Sequence, residues 1–361
     1  MFLLNRPDFC TQTKQLSPTP QKKHEAKTMK AKRHLARSRS RKNPPRPTTR
    51  IKRLFQILEQ VQTPQENALA VLGRPMSPLP STEAARQIIA GFRLLVFPGY
   101  FEGDGAGHIP NPERSAKQAL ENLYDALAAQ IGLGLAHAPG CKGLAQQERQ
   151  KRAGRIALGV LEDIPALKEE MAADVDAAFH GDPAATCHKE IVLCYPGLTA
   201  IFVYRIAHRL YLAGVPLLPR VMTEYAHSIT GIDIHPGATI GRRFVIDHGT
   251  GVVIGQTTRI GEGVRIYQGV TLGALSVPAH ACDALRSTKR HPTIEDEVII
   301  YSGATLLGGE TRIGARSVIG GNVWLTHSVD PDTRVVMEGA RVAFFPRRPQ
   351  SPQTPLQRSM A

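Results

Sequence analysis

Asp247 and His248 stand side by side in FVIDHGTGVVIGQTT, residues 244–258, a stretch that otherwise carries an aliphatic residue about every six positions. A carboxylate beside an imidazole can act as a general base: the acid fixes one ring nitrogen and leaves the other free to take a proton from a hydroxyl. Another acid, Asp233, precedes His248 by fifteen residues, and Arg290–His291 stands before Pro292 in GALSVPAHACDALRSTKRHPT, residues 273–293. On spacing alone these residues do not commit to chemistry. Asp247–His248 serves equally well to satisfy a turn, and an Arg–His pair in a loop is more often simply solvated. What raises both is the framework that carries them.

That framework is a repeat of six. Ile234, Ile240, Ile246 and Val252 are evenly spaced, and after a two-residue shift Ile254, Ile260, Ile266 and Leu272 continue the spacing. Ile294, Ile300 and Leu306 resume it after an interruption, and Ile313, Ile319 and Leu325 follow one residue out of step. A period of six is neither the 3.6 of a helix nor the 2 of a lone strand; it predicts a left-handed parallel β-helix, with aliphatic residues stacked inside and Gly or small residues at the corners. With ~18 residues and ~4.8 Å per coil, Asp233 and His248 fall on adjacent coils near one corner, within carboxylate-to-imidazole reach. Residues 273–293 are too long and irregular for a coil and read as a projecting loop, where a rigid scaffold places binding residues.

Before Gly231 the apolar spacing is helical, with a new helix expected at Pro165 and an amphipathic one in GLTAIFVYRIAHRLYLAG, whose polar face carries Arg205, His208 and Arg209. The expected class is α+β multidomain: a basic tail over 1–50, an α-helical assembly or lid domain over 51–228, the β-helix over 229–336, and a C-terminal tail over 337–361. The formal charge of +14 belongs to the tail, since residues 1–53 hold 16 Lys+Arg against 2 Asp+Glu. The folded part is then near neutral, which argues against specific nucleic-acid binding. The tail reads as a transit peptide, an upstream start, or a weak polyanion binder. No apolar run is long enough for a membrane span. Five scattered cysteines without C-x-x-C spacing suit a reducing compartment, so the expected location is cytoplasmic.

At DIHPGATIG, DHGTGVVIG and KRHP, with DPAA followed by YPGLTAIFVYRIAHRLY upstream, the sequence resembles the serine O-acetyltransferases over roughly residues 175–330. The resemblance implies direct acetyl transfer from acetyl-CoA to L-serine in cysteine biosynthesis, with no metal, by a homotrimer or dimer of trimers. It implies that His248 is the general base, Asp233 its carboxylate partner, and His291 the second site histidine. Asp182 and Asp247 would hold the substrate ammonium and polar groups, and Arg290 its carboxylate. Acetyl-CoA would run beside Gly273, Ala274, Ser302, Gly303 and Gly321.

Two features depart from the family. Gln256 stands where many relatives have Glu, and the C-terminal Ile by which many members dock onto O-acetylserine sulfhydrylase is missing, so that complex is not expected. Three rivals remain at this point: a hexapeptide O-acetyltransferase for a sugar or other hydroxyl acceptor, a zinc hydratase using imidazoles among His235, His248, His291 and His327, and a non-catalytic scaffold.

Overall fold

Three parallel sheets carry the rows of six. The computed structural model describes residues 47–62, 77–101, 112–141, 143–275, 285–286 and 288–339. Most of the two expected tails, and residues 276–284 and 287 of the expected loop, lie outside these. The chain forms two compact units, Met1–Gly73 and Arg74–Ala361. In the first, α1 (Pro47–Gln62) leaves Ile51, Leu54, Phe55, Leu58 and Val61 exposed.

The second unit begins with helices α2 (Thr82–Val96), α3 (Pro112–Leu135), α4 (Gln146–Glu162), α5 (Ile164–Gly181), α6 (His188–Cys194), α7 (Pro196–Leu212) and α8 (Leu218–Thr230). Pro165 lies in the first turn of α5, where its missing N–H costs no intrahelical bond. Gly231, at φ 71°, stops α8 in the left-handed conformation and starts the solenoid. Among the described residues no single helix is long and apolar enough to cross a membrane.

The solenoid is a left-handed parallel β-helix. Its first sheet is β1 (Asp233–Ile234), β4 (Val253–Ile254), β7 (Thr271–Gly273), β10 (Thr305–Leu307) and β13 (Trp324–Leu325). The second is β2 (Thr239–Ile240), β5 (Arg259–Ile260), β8 (Thr293–Ile294) and β11 (Arg312–Ile313). The third is β3 (Val245–Asp247), β6 (Arg265–Tyr267), β9 (Ile299–Ile300), β12 (Val318–Ile319) and β14 (Arg334–Val335). The predicted aliphatic rows are buried inside, from Ile234 through Leu325.

One row needs correction. Val252 is not the fourth member of the first row: Ile254 is, pairing with Ile234 and Leu272, and Val252 fills the preceding corner. Asp233 pairs with Val253, so the first coil takes 20 residues, against 18 from Val253 to Thr271. The two additional residues lie between Ile246 and Ile254, in the turn that contains His248.

The expected polar face of α7 is also corrected. Arg205 is buried against Asp174, with Nε to Oδ2 at 2.7 Å and Nη2 to Oδ1 at 3.0 Å. Arg205 also donates to the Gly241 carbonyl and Asp174 accepts from the Phe244 N–H, so the pair joins α5, α7 and the first coil. No solvent face exists on this part of α7, because Phe202, Val203 and Ile206 enter the helical core while Ala200, Ile201 and Tyr204 enter the solenoid core.

Candidate active site

The predicted residues gather at the two edges of the first sheet. His248 precedes β4 at one edge, and Gly255 follows it at the other. Between them lies one flat side of the prism, about 16 Å for the five residues Gly251–Gly255 at ~3.3 Å each.

At the first edge the additional turn residues push the His248 ring out of the wall. His248 and Gly249 take φ of 56° and 84°, the left-handed region open to few side chains, and 73% of the imidazole side chain is exposed. Nδ1 lies 3.7 Å from Asp247 Oδ1, and Asp247 is itself only 17% exposed. The first turn of α7 packs on β3 just before this pair. Gly197 makes that approach possible, since a Cβ there would sit 2.1 Å from the Ile246 carbonyl oxygen. The packing brings Tyr195, immediately before α7, and Asp182, immediately after α5, to the same corner.

Asp182 is held from two directions. The Tyr195 hydroxyl donates to Oδ2 at 2.5 Å, and the Ala184 N–H donates to Oδ1 at 2.8 Å. These bonds keep its carboxyl below the usual range, the Tyr195 bond most strongly, with the charges of Arg265 and His248 adding to the effect. Tyr195 is pushed far up by the same bond, so it remains a donor. Arg265 fixes the helix end that carries Asp182: Nη2 donates to the Ala177 carbonyl at 3.0 Å, and its guanidinium occupies the place a side chain on Gly181 would take.

At the second edge, His291 is buried over Gly255, where any Cβ would sit 2.0 Å from ring Cδ2. Its Nδ1 accepts from the Thr257 N–H at 3.1 Å and lies 2.8 Å from Thr257 Oγ1. Burial, reinforced by the Arg290 and Lys289 charges, lowers its pKa to about 4. Arg290 donates through Nη2 to the Gln256 side-chain carbonyl, and Gln256 Nε2 donates to the Tyr211 hydroxyl at 3.0 Å. A neutral amide therefore takes the guanidinium where a carboxylate would have formed an ion pair. Arg290 Nη1 donates to loop carbonyls, at 3.3 Å to both Leu285 and Arg286.

Asp233 stands with this second group. Its Oδ1 accepts from Arg220 at 3.2 Å, and its charge, with those of Arg220 and Arg290, acts on His235, whose pKa burial lowers to about 4. The contact expected between Asp233 and His248 is not made within one chain: Asp233 is in register with Val253, five residues beyond His248, and the carboxylate beside His248 is Asp247. Gly273, the last residue of β7, and Ala274, which follows it, lie at the second edge. Ser302, Gly303 and Gly321 lie at the first, in line with the His248 corner, where Gly251, Gly269 and Gly303 stack with φ of 80°, 73° and 72°.

No protein-family model matches the chain. The "Serine acetyltransferase, plasmid" of Synechococcus elongatus is 48% identical to it over 256 residues, 70% of this chain and 80% of that protein. The chain belongs to the serine acetyltransferase family. The serine acetyltransferase of Bacillus subtilis is 46% identical over 169 residues, covering 47% of this chain and 74% of its own. Among solved structures, serine acetyltransferase isoform 3 of Entamoeba histolytica, in complex with cysteine, matches with a TM-score of 0.61 at 31% identity. That match covers 83% of this chain and 96% of the other. The native serine acetyltransferase 1 of the same organism gives 0.60 at 35% identity, covering 80% and 99%. The protein is an acyltransferase of the serine acetyltransferase type, built as a helical N-terminal part followed by the parallel β-solenoid of that family.

For a serine acetyltransferase, the arrangement adds two residues to those expected from sequence. Tyr195 holds Asp182, and Thr257 holds His291. Both are uncharged, and their partners are 13 and 34 residues away. The Tyr195–Pro196 junction, a helix start, was the only local sign of the first; nothing in GQTT signals the second.

Proposed function

We propose that the chain transfers the acetyl group of acetyl-CoA to the L-serine hydroxyl, giving O-acetylserine and CoA, with His248 as general base. The observation that carries this reading is the extruded, exposed imidazole of His248 beside the shielded Asp247. A serine hydroxyl is a weak nucleophile at neutral pH, so its proton must leave as it attacks the thioester carbonyl. His248 takes that proton. The tetrahedral intermediate collapses by breaking the C–S bond, and the imidazolium returns the proton to the departing thiolate.

Asp182, kept anionic by Tyr195, suits the substrate ammonium, and the Arg290 fork suits its carboxylate. A single serine cannot touch both edges of one chain. In this reading the site forms between neighbouring copies arranged in a closed ring: the first edge of one (Asp182, Asp247, His248, Ser302, Gly303, Gly321) faces the second edge of the next (Asp233, Arg290, His291, Gly273, Ala274). Asp233 then meets His248 across the interface, which reconciles the expected pairing with its absence inside one chain. Acetyl-CoA would lie along the crevice, past the stacked glycine corner.

The test is CoA-thiol release from acetyl-CoA with L-serine, homoserine or sugars as acceptors. Preference for L-serine supports the reading; preference for a sugar replaces the acceptor.

A further inference from the structure

The Thr257 hydroxyl uses every bond it can make. Oγ1 accepts the backbone N–H of Arg290 at 2.9 Å and that of His291 at 3.1 Å, which occupies both lone pairs. Its own proton is then left for His291 Nδ1, 2.8 Å away. The Thr257 backbone N–H, which can only donate, points at the same Nδ1 from 3.1 Å. A ring nitrogen facing an obligate donor cannot carry a proton, so the neutral ring keeps its hydrogen on Nε2.

We infer that Thr257 is a positioning residue: it locks His291 as the Nε2–H tautomer, a permanent hydrogen-bond donor, and ties the closing end of the 273–293 loop to the second coil. The inference rests on the acetyl-transfer reading for its consequence, since a fixed N–H at this edge suits a developing oxyanion. Its structural content stands without that reading. The low pKa of His291 agrees with it, because a ring that does not charge near neutral pH stays in one tautomer. Gly255 supplies the floor on which the ring rests.

The experiment has two arms on the full chain. In ¹⁵N NMR of wild-type protein, His291 should show unprotonated Nδ1 and protonated Nε2, unchanged from about pH 5.5 to 8.5. A protonated Nδ1, or titration inside that interval, overturns the inference even if Thr257→Val fails to fold. In the second arm, Thr257→Val keeps the backbone N–H that fixes the tautomer but removes the hydroxyl that holds the Arg290 and His291 N–H groups. It should leave Nδ1 unprotonated and lower kcat by at least tenfold as the ring loses its position, toward the ~10²–10³ that losing an oxyanion donor costs. Thr257→Ser, which keeps the hydroxyl, should restore turnover. Thr257→Val with wild-type turnover, or Thr257→Ser as impaired as Thr257→Val, overturns it. A wild-type chain that acetylates no acceptor would refute the acetyl-transfer reading instead, while the spectrum still decides the tautomer.

Discussion

The Tyr195 hydroxyl donates to Asp182 at 2.5 Å, joining the residue just before α7 to the one just after α5, within reach of the charges of Asp247 and His248. This bond is the largest influence keeping Asp182 ionised. Removing it lets the carboxyl protonate at higher pH, so Tyr195→Phe should move the acid limb of kcat/KM for serine upward. The KM for serine should rise about tenfold, as for loss of one charge-assisted hydrogen bond of ~1.5 kcal/mol. Steady-state kinetics across the acid range check this, and an unmoved acid limb would remove Asp182 from the substrate site.

His248 occupies a left-handed position that Asn tolerates better than Ala. His248→Asn should therefore keep the fold and lose ~10²–10⁴ in kcat, the usual contribution of a general base. Near-normal turnover in a folded variant would disprove the base assignment.

Gly255→Ala should push His291 off its floor, because the added carbon lands 2.0 Å from ring Cδ2. Overpacking of this kind costs about 1–3 kcal/mol, read from the urea midpoint. In Gly255→Ala/His291→Ala the clash disappears, so the two losses should be less than additive.

His235 and His291 both have pKa values near 4 in the folded chain, against ~6.5 when unfolded. Between those values the unfolded chain binds more protons, so stability rises with pH across the window and is lost as pH falls from about 6.5 to 4. Denaturation midpoints at pH 7 and pH 4.5 measure it. His291→Gln should flatten the slope, and an unchanged slope would contradict the burial of that ring.

The solenoid was legible because six-residue spacing is a local property: the Ile234-to-Leu325 rows could be read without knowing any long-range contact. The same reading placed Val252 one step wrong, since a two-residue insertion cannot be located from spacing when two aliphatic residues, Val252 and Ile254, both fit. Assuming a uniform coil also put Asp233 beside His248, whereas the 20-residue first coil aligns Asp233 with Val253. Arg205 was misread for another reason. Amphipathic reasoning assigns polar residues to solvent, but α7 is wedged between two cores and its arginine is satisfied by Asp174, 31 residues earlier. Thr257 and Tyr195 act only through long-range hydrogen bonds, which neither charge nor periodicity reveals.

The central claim is that one catalytic site draws its two edges from two copies of the chain, and mixed oligomers test it most directly. His248→Asn and Arg290→Ala are each made inactive, then co-expressed in equal amounts and purified together. If the edges come from neighbouring copies in a closed ring, random assembly leaves about a quarter of the interfaces with both edges intact, and about a quarter of wild-type activity returns. If each chain builds its site alone, the mixture stays as inactive as its parents, and the account fails.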